Sequence, residues 1–97
     1  MTTTNTVPAI ELLTTRAISL KIRKLREIYS YSQEYVAFQM GISQAAYSKK
    51  ESGRTELSLL CLGKLSEIYQ VSLMDLIGLS TQELLMKVLQ TNASLAA

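Results

Sequence analysis

The stretch SQEYVAFQMGISQAAYSKKESG, residues 32–53, decides the fold. Ser32 stands where a helix N-cap is wanted, and Glu34 places a negative charge in the first turn, at the positive end of the helix dipole. Tyr35, Val36 and Met40 then recur at helical spacing, which predicts a helix running to Met40. Gly41 follows at once, free to take the left-handed conformation that ends a helix, and Ser43 is placed to cap a second one. That second helix runs from Gln44 to about Ser52 and stops at Gly53. A turn of only Gly41, Ile42 and Ser43 forces the two helices to meet at a steep angle. Ala37 is small enough to let them approach, and Ile42 plugs the crossing.

Outward from this pair the periodicity stays helical. Ile18, Ile22 and Leu25 mark a preceding helix that ends near Tyr29, with Lys21, Arg23 and Lys24 largely on its other faces. Downstream, Ser58 caps a helix carrying Leu59, Leu62, Leu65 and Tyr69, and Ser72 opens a short one with Leu73, Leu76 and Ile77. Ser80 and Glu83 have capping-box spacing, and Leu84, Leu85, Val88 and Leu89 predict a last helix to about Gln90. The Thr-rich start has no periodicity beyond a short turn at Ile10, Leu12 and Leu13. The chain thus divides into an N-terminal arm (1–15), a helical core (16–78) and a C-terminal helix and tail (79–97).

Composition agrees with an all-α domain. The chain has 97 residues, 47% apolar and 6% aromatic, with one proline, the balance of a Leu/Ile-built helical core. No apolar run approaches the roughly 20 residues of a membrane span, and no basic, apolar leader precedes Arg16, so a cytoplasmic protein is expected. With no histidine, a single cysteine, no phosphate-cradling glycine loop and no clustered carboxylates, enzymatic chemistry, a cofactor and a metal site are not expected. Cys61, between Leu60 and Leu62, reads as a packing residue. The net charge of +2 hides an asymmetry: residues 16–54 carry eight basic and three acidic side chains, and residues 55–97 two basic and four acidic. The first half suits a polyanion.

The 32–53 stretch resembles the helix-turn-helix of the phage repressor and Cro (XRE) family, and the likeness extends from Ile22 to Ile77. It implies a compact lambda-repressor-like five-helix domain, here with an extra C-terminal helix, that binds double-stranded DNA. The second helix of such a pair fits the major groove, its N-terminal residues nearest the base edges. Gln44 can offer a donor and an acceptor together to adenine, Ala45 a methyl contact to thymine, and Lys49 a cation to guanine or phosphate. The resemblance makes Gln44, Ala45 and Lys49 base-reading positions. It also makes Gln33, Ser43, Ser48, Ser52 and Arg54 phosphate-contacting ones, and joins Arg26 to Glu51 in a structural ion pair.

Three positions depart from the family pattern. Lys50 replaces an apolar or aromatic residue, so either its stem packs while the amine reaches water, or the helix is rotated. Leu57 stands where proline is common, and Ser30 where glycine is. The resemblance implies a regulator of transcription, a repressor, binding as a homodimer; the helix from Ser80 to Gln90 either supplies the dimer face or covers its own core. An antitoxin or restriction-modification controller with a toxin or anti-repressor partner has the same size and motif. A protein-interaction module that keeps the shape without using it on DNA is the other class.

Overall fold

The structure is a computed structural model that describes residues 13–96, with side chains as far as Asn92. Six helices are present among the described residues: α1 (Thr15–Ile28), α2 (Gln33–Met40), α3 (Gln44–Glu51), α4 (Leu59–Ile68), α5 (Leu73–Gly78) and α6 (Thr81–Ala96). The arm expected over 1–15 and its short turn lie outside the described residues, save for Leu13 to Thr15. Thr14 and Thr15, β-branched and poor in a helix interior, mark the start of α1, with Thr14 as its cap.

Local chemistry fixes each helix end. The side chains of Thr14, Ser32, Ser43, Ser58 and Ser72 each accept a hydrogen bond from the backbone N–H three residues on, a contribution of about 1 kcal/mol per cap. Ser80 and Glu83 close the capping box reciprocally, at 3.0 and 3.2 Å. Four helices end in the same left-handed motif, at Ser30 (φ 57°), Gly41 (φ 75°), Gly53 (φ 80°) and Gln70 (φ 55°). In each, the next residue's N–H reaches back to a carbonyl five positions earlier: Tyr31 to Arg26, Ile42 to Ala37, Arg54 to Lys49 and Val71 to Ser66.

Ile22 and Leu25 of α1, Val36 and Met40 of α2, Tyr47 of α3, Leu65 of α4 and Leu76 of α5 are buried in one core. Leu84 and Val88 of α6 are buried in that same core, while Leu85 packs at its edge and Leu89 stays exposed. The last helix thus covers the domain with one face. It continues to Ala96 instead of ending near Gln90, because Gln90 to Ala96 contain no glycine or proline to stop it.

The structure corrects the reading of Lys21. This side chain is 1% exposed, and its ammonium donates to the carbonyls of Leu76 (3.1 Å) and Ile77 (3.0 Å). A cation there meets the negative end of α5 and ties it to α1. Burial lowers the Lys21 pKa, partly opposed by the charge of Glu83. Lys64 plays the same part for α2, donating to the Met40 carbonyl at 3.1 Å. Neither amine belongs to a basic outer surface.

Ser30 carries a Cβ in a conformation that costs an ordinary residue about 1–2 kcal/mol. Ser30→Gly removes that strain, less the greater freedom glycine gains in the unfolded chain. The expected net gain is about 0.5–1 kcal/mol, seen as a thermal midpoint several degrees higher. A lower midpoint would show that the Ser30 side chain has a stabilising role of its own.

Candidate nucleic-acid interface

The surface of α3 is divided by its own periodicity. Tyr47 and Glu51, one turn apart, face inward and are buried, whereas Gln44, Ala45 and Lys49 are exposed and Ser48 is half-buried. Ala45 and Lys49 share a face about 6 Å apart along the axis. Ala37 of α2 is 2% exposed in the core, and Ile42 packs against the core from the turn.

What sets the rotation of α3 is its last residue. The Glu51 carboxylate takes both Nε (2.7 Å) and Nη2 (2.8 Å) of Arg26, the Tyr47 hydroxyl (2.6 Å) and the Gln33 side-chain amide (3.1 Å). Arg23 Nε lies 3.9 Å away, and Arg26 Nη1 donates to the Tyr31 carbonyl at 2.9 Å. One buried anion therefore joins α1, α2 and α3. Burial raises the Glu51 pKa, but hydrogen bonds from Arg26, Tyr47 and Gln33 outweigh it and hold the group below the ordinary glutamate value. The bond to Glu51 raises Arg26 in turn. Burial, with the bond to Glu51, pushes the Tyr47 phenol far above its usual range.

The polar residues around α3 differ in what they still have to give. Ser43 Oγ accepts from Ala46 N–H at 3.1 Å, so its own proton is available to an incoming oxygen. Ser52 Oγ donates to the Lys49 carbonyl at 3.0 Å and accepts from Arg54 Nε at 3.1 Å, so it must rotate before donating elsewhere. One amide proton of Gln33 is committed to Glu51 and the other is not. Lys50 is half-buried, its amine 3.4 Å from the Glu56 carbonyl and its own carbonyl accepting from Ser19 Oγ at 2.9 Å. The Tyr47–Glu51 bond could have been found from i, i+4 spacing. The bond from Gln33 to Glu51 carries no local sequence signal, since it depends on how α2 crosses α3.

A short helix held from beneath and bared along one face, following a second helix across a tight turn, defines the class of DNA-binding helix-turn-helix proteins. The helix-turn-helix family profile matches residues 22–76, more than half of the chain. The chain belongs to this family, with a helix-turn-helix of the Cro/C1 type. No curated protein and no solved structure matches it. No helix among the described residues is long and apolar enough to cross a membrane.

Because the folded Glu51 pKa is depressed, the stability it contributes is fully present above the ordinary glutamate value and is lost as pH falls through the folded one. Glu51→Gln leaves Arg26 without its partner and is expected to cost about 3–5 kcal/mol in a denaturant melt at neutral pH. The same variant should show a shallower loss of stability on acidification than the parent chain. Equal acid limbs in the two proteins would remove Glu51 from this role.

Proposed function

We propose that this protein is a sequence-specific transcriptional repressor that binds duplex DNA as a homodimer. The supporting observation is the bare face of α3, where Gln44, Ala45 and Lys49 project while Glu51 anchors the opposite side. With α3 in the major groove, Gln44 reads adenine through paired hydrogen bonds, Ala45 meets a thymine methyl and Lys49 reaches guanine. In this pose Gln33 at the start of α2, Ser43 at the start of α3, and Ser48, Ser52 and Arg54 contact phosphates. They position the helix, and the bases specify the sequence.

Two copies reading half-sites about one helical turn apart need a shared face. Met86 and Leu89 supply candidates, three residues apart on α6 and 60% and 51% exposed. Deleting the whole helix would not test this, because Leu84 and Val88 belong to the core.

On an operator recovered by selection from random duplex DNA, Lys49→Ala is expected to weaken specific binding by about 1–3 kcal/mol and to relax preference at one base pair. Arg54→Ala should weaken all sequences alike and lower the salt slope by about one. Uniform loss for Lys49→Ala, with base preference unchanged, would remove it from the reading set. For assembly, sedimentation of Met86→Glu/Leu89→Glu should show monomers; an undisturbed dimer would place the interface elsewhere.

A further inference from the structure

A cleft of about 540 Å³ opens beside the C-terminal end of α3, lined by Arg16, Leu20 and Arg23 of α1 and by Ser52 and Gly53, with Ser19 and Glu51 beneath. Arg16 and Arg23 are seven residues apart, two turns of one face, or about 10 Å along the axis. Glu51 does not neutralise them: its oxygens are engaged by Arg26, Tyr47 and Gln33, and Arg23 touches it only at 3.9 Å with a side chain 52% exposed. Among the described residues no carboxylate pairs with Arg16. Arg54, exposed, does not line the cleft but donates from Nε to Ser52 Oγ, which does, at 3.1 Å.

We infer that this cleft is a second phosphate-binding site, which takes the DNA backbone just outside the half-site read by α3. The inference rests on the DNA-binding reading above. When the N-terminal end of α3 points at base edges, its C-terminal end is carried towards the groove's edge, where the sugar-phosphate strand runs. Guanidinium groups suit that strand because their planar N–H forks match phosphate oxygens. Gly53 holds the chain in a left-handed turn (φ +80°) against Ser19 and Arg16, which brings the end of α3 up to α1 and shapes the cleft. The site adds affinity and footprint without adding base preference.

The test compares a duplex cut to the selected operator with one extended by about six base pairs on each side, using the full chain and its Arg16→Ala/Arg23→Ala variant. The parent chain is expected to bind the extended duplex more tightly, with a salt slope steeper by about one to two per bound copy. The variant, with an unchanged thermal midpoint and unchanged base preference, should bind both duplexes alike. Equal binding of the two duplexes by the parent chain would overturn the site, as would a variant that keeps the difference or loses the same affinity on both. If the parent chain bound no duplex at all, the DNA-binding reading itself would fall, a result distinct from these.

Discussion

The arrangement of the first three helices depends on one buried carboxylate. Glu51 receives hydrogen bonds from α1, α2 and its own helix, and its side chain is only 1% exposed. Removing a carboxylate from water is expensive, and this one is retained because four donor protons are aimed at it before solvent is excluded. The cost brings specificity of placement, since an apolar contact would tolerate rotation of α3 and a two-pronged guanidinium bond from Arg26 does not. The bare face of α3 is where it is because the opposite face is pinned.

The same economy governs the cations. A count along the chain gives the first half a surplus of positive charge, yet Lys21 and Arg26 are spent inside the domain. Lys24 pairs with Glu27 at 3.6 Å on the surface. The groups left to meet an anion are fewer and better placed than the sum suggests: Arg16, Arg23, Lys49 and Arg54, all around α3 or facing its end. Lys50, the departure from the family pattern, is half-buried, with its amine at the edge of the following loop.

Much of the fold was legible because it is written in local chemistry. Serine caps, the glycines at 41 and 53, and apolar residues at helical spacing act within a turn or two, and they predicted five helix starts from Ser32 to Ser80. The left-handed end at Gln70 was hidden because that residue is not a glycine, and the one at Ser30 was signalled only by the glycine the family commonly has there. The role of Lys21 was hidden for a different reason: its partners are the carbonyls of Leu76 and Ile77, more than fifty residues away. At the interface, the row of Gln44, Ala45 and Lys49 was named through the family resemblance, whereas the cleft formed by Arg16 and Arg23 exists only once α1 lies against Gly53.

The most direct test of the whole account is to follow backbone amide resonances while a duplex carrying the selected operator is added. The account predicts that the largest changes fall on Gln44, Ala45, Ser48 and Lys49, with smaller ones at Gln33 and around Ser52 to Arg54. Changes centred on α4 or α6, with α3 undisturbed, would contradict it.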